Sequence, residues 1–217
     1  MRCFIALPLP SQAVAAIARA AEGLREALGG LAWTKPAGYH LTLAFLGEQE
    51  AAGIEAARRA LASLGNQPAF RVLPAGLGRL PRYGPGRVLV MDFAEGGLEV
   101  AALRSSLGKA LDTESEKAGI PALDPDWDGA GGKAKRPYVA HLTLARARDA
   151  VGRRKPGALP ALDPALVENF RAAIAVVCPQ GGWPIEAALL YKSELRRSGA
   201  VYTEVDRASL RNAAAEG

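Results

Sequence analysis

The tetrapeptide His-Leu-Thr-Leu occurs twice, at residues 40–43 and 141–144, and each copy sits in a run of alternating apolar residues that fits a half-buried β-strand. These are the only two histidines in the 217 residues, and two of the five threonines fall in the copies. At this chain's own Leu and Thr frequencies, the odds of both histidines being followed by Leu-Thr-Leu by accident are roughly one in several million, far below the usual false-positive level of a short motif. Any fold for this chain must therefore accommodate two equivalent strands with the same two-faced pattern. Side chains alternate faces along a strand, so His40 and Thr42 share one face while Leu41, Leu43 and Phe45 share the other. His141 and Thr143 are separated from Leu142 and Leu144 in the same way. The expectation is that the leucines and Phe45 enter a core, and that two imidazoles and two hydroxyls line one groove where the strands meet.

A lone histidine on such a strand is more often a satisfied structural residue than a catalyst. Two identical copies with no other histidine in the chain shift the balance to chemistry. An imidazole titrates near pH 6.5, so one of a pair can act as neutral base while the other acts as protonated acid. That pairing suits in-line displacement at phosphorus without a metal, with threonine hydroxyls donating to the non-bridging oxygens where charge develops. His40 and His141 are the catalytic candidates, and Thr42 and Thr143 the substrate-binding ones.

With these residues in hand, the sequence resembles the 2H phosphoesterase superfamily, whose signature is two His-x-Thr/Ser-x motifs about a hundred residues apart. More closely, it is similar to the bacterial and archaeal RNA 2′,3′-cyclic phosphodiesterase family, historically called 2′-5′ RNA ligases. The resemblance runs through Met1–Pro10, Trp33–Gly47, Arg136–Arg146, and Leu190–Leu195 followed by Gly199 and Tyr202. It implies an α+β fold of two similar lobes of antiparallel-rich sheet, with helices outside and a cleft between. It also implies hydrolysis of a terminal 2′,3′-cyclic phosphate to a 2′-phosphate, His40 protonating the leaving 3′ oxygen and His141 activating water, with a minor ligase activity by microscopic reversibility. Residues 124–133 and 152–164 look like loops enlarged over the family's compact pattern.

Length and composition agree. The chain is expected to be one bilobal domain over 1–217, and hydrophobic content of 49% with charged content of 23% is that of a globular protein. No apolar run approaches the roughly 18 residues of a membrane span, and the first strand is too short and proline-broken for a signal peptide. Cys3 and Cys178 lie far apart without a CxxC, which suggests reduced thiols in a cytoplasm; a monomer is the expectation, with nothing in the sequence that decides it. A zinc site from Cys3, His40, His141 and Cys178 lacks paired-ligand spacing, so no metal and no cofactor is expected. The net charge of +5 and a pI near 9.4 favour an anionic partner, an RNA end or a nucleotide. Of the scattered basic groups, Arg136 and Arg146 bracket His141 and are the candidates to hold phosphate or stack on a base.

Periodicity predicts strands at 2–8, 31–34, 40–46, 69–78 and 87–93, and helices at 11–28, 50–64 and 97–118. After these come the second-motif strand, a helix at 163–174 and closing strands at 183–193 and 200–206. The pieces divide into two similar halves, each with a helix and one motif strand, which a pseudo-twofold axis would bring together. Rival readings are a phosphodiesterase of small nucleotides, such as ADP-ribose 1″,2″-cyclic phosphate or 2′-5′ oligoadenylate, and a non-catalytic RNA-end binder.

Overall fold

The computed structural model describes residues 1–127, 138–148, 157–196 and 199–211. Their strands are β1 (Arg2–Pro8), β2 (Ala32–Trp33), β3 (His40–Glu48), β4 (Phe70–Leu80), β5 (Val88–Glu95), β6 (His141–Arg146), β7 (Trp183–Ile185), β8 (Ala187–Arg196) and β9 (Gly199–Ser209). The helices are α1 (Ser11–Ala27), α2 (Ala51–Ala62), α3 (Gly97–Ala118) and α4 (Pro164–Val177). Strands join in the order β7-β4-β5-β6-β3-β1-β8-β9 through antiparallel ladders, with β2 alongside β6.

That order is symmetric about its middle. On one side stand β6, β5, β4 and β7, and on the other β3, β1, β8 and β9. The seam between β3 and β6 is antiparallel and has a single register pair, Leu41 opposite Leu142, both fully buried. Continuing that register by one residue in either direction sets His40 opposite Thr143 and Thr42 opposite His141. A local twofold axis therefore runs through the leucine pair, and the two motifs are each other's neighbours.

The lobes are not successive halves of the chain, as periodicity had suggested. β1 is buried along Cys3–Leu7 and needs a partner on both edges; it takes β3 on one and β8 on the other. The C-terminal hairpin β8–β9 thus completes the lobe that the N-terminus began. The expected single strand at 183–193 is divided at Glu186, with Trp183–Ile185 pairing to β4 and Ala187 onward to β1. Two residues of chain span about 7 Å at most, so the edge strand β7 must lie close to β8, and the sheet curls around its core.

The helices bury the stripes their spacing predicts. Ala13, Ala16, Ile17, Ala21 and Leu24 of α1 are buried, as are Val100, Leu103, Leu107 and Leu111 of α3. α1 packs beside α4 and α2 beside α3. Each fully buried Leu or Ile here contributes on the order of 1.5–3 kcal/mol of transfer free energy, which holds the curled sheet and leaves its other face to line a groove.

Candidate active site

Both motif strands carry the same irregularity, and it decides what faces the groove. Ile5 pairs with Ala44 and Ala6 with Thr42, leaving Leu43 as an extra residue. Leu89 pairs with Ala145 and Val90 with Thr143, leaving Leu144 extra in the same way. Each is a β-bulge that inverts the alternation beyond it. Leu43 and Ala44 are therefore both buried, as are Leu144 and Ala145, and the next residue in each strand turns out on the side of the histidine. Phe45, expected in the core, is instead 57% exposed. Its counterpart in β6 is Arg146, which lines the groove with His141.

The groove face of the first lobe is aromatic. His40 lies 4.9 Å, ring centroid to ring centroid, from Phe4, and meets Tyr202 edge-on at 5.4 Å. Phe4 stacks on Tyr191 at 5.1 Å and leans on Phe45 at 6.2 Å. The cross-strand neighbour of His40 is Pro8. The second lobe is charged where the first is apolar. The neighbour of His141 is Asp92, whose carboxylate grips the Arg82 guanidinium through two hydrogen bonds of 2.7 Å.

His141 donates its Nδ1–H to the carbonyl of Val139 at 2.7 Å, and the ring of His40 interacts with the backbone of Gly38. Each imidazole thus meets the backbone of the residue two before it, and in His141 this leaves Nε2 toward the groove. Burial is the main cause that pulls His40 from its ordinary 6.5 down to about 4; the Gly38 bond resists, and positive charge on His141 adds to the fall. His141 is lowered too, chiefly by burial. The Val139 carbonyl and Asp92 oppose that shift, while Arg146 and Arg82 reinforce it. In the free protein both rings are thus neutral near pH 7. A phosphodiester carries a negative charge, and one placed between the rings would favour the imidazolium.

Thr42 and Thr143 are half-buried on the histidine face. Across the seam, the Tyr138 hydroxyl donates to the backbone carbonyl of Thr42 at 2.7 Å, tying the lead-in to one motif to the body of the other. Burial pushes the Tyr138 phenol up, so it stays a neutral donor. Arg136 lies outside the described residues, as do residues 128–133 of the first enlarged loop and 152–156 of the second. Among the described residues no group of three or more His, Cys, Asp or Glu stands close enough to hold a metal ion, and no helix is long and apolar enough to cross a membrane.

Asp92 and Tyr138 escaped sequence reasoning. Asp92 had one legible sign, a carboxylate in the otherwise apolar run Val88–Phe93. Tyr138 reads as an ordinary strand aromatic.

A family model described as LigT like Phosphoesterase matches residues 7–90. A Thermus thermophilus protein named RNA 2′,3′-cyclic phosphodiesterase is 33% identical over 218 residues, covering 97% of this chain and 91% of that one. A Geobacillus stearothermophilus protein of the same name is 30% identical over 170 residues, covering 73% of this chain and 46% of that one. The crystal structure of TT0787 of Thermus thermophilus matches with a TM-score of 0.66 at 29% identity, covering 98% of this chain and 100% of that one. E. coli LigT complexed with 3′-AMP shares the fold, with a TM-score of 0.61 at 21% identity over 96% of this chain and 97% of that one. A sequence match that runs almost end to end, together with the shared fold, shows that the chain belongs to the LigT-like phosphoesterase family.

Proposed function

We propose that this chain, acting as one bilobal unit, hydrolyses the 2′,3′-cyclic phosphate at an RNA end to a 2′-phosphomonoester, with His40 and His141 as its acid–base pair. One observation carries the reading: the twofold seam at Leu41–Leu142 sets two His-Thr pairs side by side on one groove face. The relatives named RNA 2′,3′-cyclic phosphodiesterase support the substrate class. In the step, a water oxygen bonds to phosphorus as one Nε2 takes its proton. The bond from phosphorus to O3′ breaks, and the other Nε2–H protonates that oxygen. Thr42 and Thr143 donate to the non-bridging oxygens, and Phe45 offers an exposed ring to the terminal base.

The family resemblance gives the acid role to His40 and the base role to His141. The free protein's electrostatics favour the reverse: Asp92 opposes the lowering of His141, whereas among the described residues no carboxylate is a cause of the shift on His40. A substrate whose 3′ bridging oxygen is replaced by sulfur separates the two, since that leaving group departs without a proton. Whichever alanine variant regains activity on it lacks the acid.

The decisive experiment is cleavage of a short RNA ending in a 2′,3′-cyclic phosphate, in EDTA, by the parent, His40→Ala and His141→Ala. Each variant is expected to lose about 10²- to 10⁴-fold in rate, and the parent to yield only the 2′-phosphate. A variant within tenfold of the parent, or a 3′-phosphate product, overturns the mechanism.

A further inference from the structure

The groove continues past His141. A cavity of about 910 Å³ opens from that ring toward the turn between β4 and β5. Pockets of roughly 300–1,000 Å³ take whole drug-sized ligands, so this one is far larger than a phosphate between two imidazoles requires. Its walls are largely apolar, from Leu80, Val88 and Tyr138, and Arg82 and Arg146 bring positive charge to it.

Arg82 is placed with care. Asp92 holds its guanidinium from both oxygens, and the pair lies over Gly78, where a Cβ would collide with the carboxylate. Two of five N–H donors serve Asp92, and the rest of a side chain that is 38% exposed remains for a ligand. Because Asp92 is the cross-strand neighbour of His141, Arg82 stands about one strand spacing, about 5 Å, and a side chain beyond the reacting phosphate. That reach is comparable with the distance between successive phosphates of one strand. Beside it Tyr83, at the tip of the turn, is 91% exposed; a ring presented to solvent in this way is suited to stacking on a base.

We propose that this cavity is the subsite for the nucleotide immediately 5′ to the reacting one, with Arg82 holding the joining phosphate and Tyr83 stacking on the base. A cyclic phosphate ends the RNA, so the only further nucleotide the same strand can place here is the 5′ one. The inference rests on the function proposed above. It adds that the protein selects RNA ends over cyclic mononucleotides, against the small-nucleotide reading.

The test compares kcat/KM on a 2′,3′-cyclic mononucleotide and on a dinucleotide ending in the same group, for the parent, Arg82→Gln and Tyr83→Ala. The ratio of the two substrates cancels any effect a substitution has on the chemistry. The parent should favour the dinucleotide by at least about tenfold, and each variant should lose most of that ratio, as expected for one phosphate contact or one stacked base. A parent ratio near one, or a ratio unchanged in both variants while the mononucleotide is hydrolysed, overturns the subsite. Failure of the parent to hydrolyse either substrate overturns the underlying functional reading instead.

Discussion

Replacing Tyr138 with phenylalanine removes one oxygen atom from the seam that sets the two histidines side by side. β3 and β6 share a single register pair, so the hydroxyl donated to the Thr42 carbonyl is a large part of what fixes one motif against the other. A neutral hydrogen bond is worth about 0.5–1.5 kcal/mol net, and a carbonyl left dry costs about 1–3. The group is partly buried, so about 1–2 kcal/mol is expected. For a chain of this size 1 kcal/mol moves Tm by about 2–4 °C, so calorimetry should show a fall of about 2–8 °C. The kinetic consequence is separate. Acid–base catalysis tolerates about 0.5 Å of misplacement, so a loosened seam should lower kcat about tenfold at temperatures well below unfolding, with KM little changed. Tyr83→Phe, at an exposed ring, is the control for stability. An unchanged Tm shows that other contacts hold the seam. A lower Tm with an unchanged kcat shows that the bond supports the fold and positions nothing.

Other consequences follow from the buried imidazoles and the inverted strand faces. Since kcat/KM reports the free protein and kcat the complex, and since the substrate's charge raises both imidazoles, the kcat/KM profile should be centred below pH 6.5 and the kcat profile displaced to higher pH; coincident profiles would sink the charge argument. His40 at about 4 against 6.5 in the unfolded chain means that the unfolded state binds more protons between those values. Stability contributed by the neutral ring is therefore lost as pH falls from 6.5 to 4, by at most ~3 kcal/mol for the difference between 6.5 and about 4. The melting temperature of the parent should accordingly drop more steeply over that window than that of His40→Gln, and parallel curves count against it. Phe45→Ala should leave Tm within about 2 °C, since the ring is exposed, yet raise KM about tenfold through lost stacking; a marked loss of stability would return Phe45 to the core.

Most of the elements were legible because each carries its own local pattern. α3 spans 97–118 as its spacing predicts, and β1 spans 2–8 as its apolar run predicts. What escaped was non-local. Nothing in Trp183–Arg196 announces that the chain changes lobes at Glu186, because the signal is the unsatisfied edges of β4 and β1 rather than a property of the segment. Strict alternation puts Phe45 in the core, and the bulge at Leu43 turns it out. The adjacent apolar pair Leu43-Ala44, repeated as Leu144-Ala145, was the visible trace of that bulge, and reading it would have moved Phe45 and Arg146 together onto the histidine face. The histidines and threonines stand before the bulge, where alternation still holds. Alternation therefore gives their faces and fails for Phe45, which follows the bulge.

The bulges also explain how a nearly symmetric scaffold can perform an asymmetric reaction. A phosphate between two equivalent His-Thr pairs could bind either way round, and acid and base would then exchange with it. The walls remove that equivalence. At matched positions the first lobe presents Pro8 and Phe45 where the second presents Asp92 and Arg146. An aromatic wall favours a base, and a wall of arginines steadied by a carboxylate favours phosphates. One orientation therefore places the terminal base on Phe45 and the backbone toward Arg82, and the opposite orientation sets a phosphate against the rings of Phe4, Tyr191 and Tyr202, beside which Arg207 is already paired with Glu204. Discrimination of this kind acts through what is placed badly as much as through what is placed well. It predicts that exchanging the pair, Phe45→Arg with Arg146→Phe, weakens binding of the dinucleotide far more than either lobe's fold; equal affinity in the exchanged protein, measured by titration with a non-cleavable analogue, would show that the walls do not set the orientation.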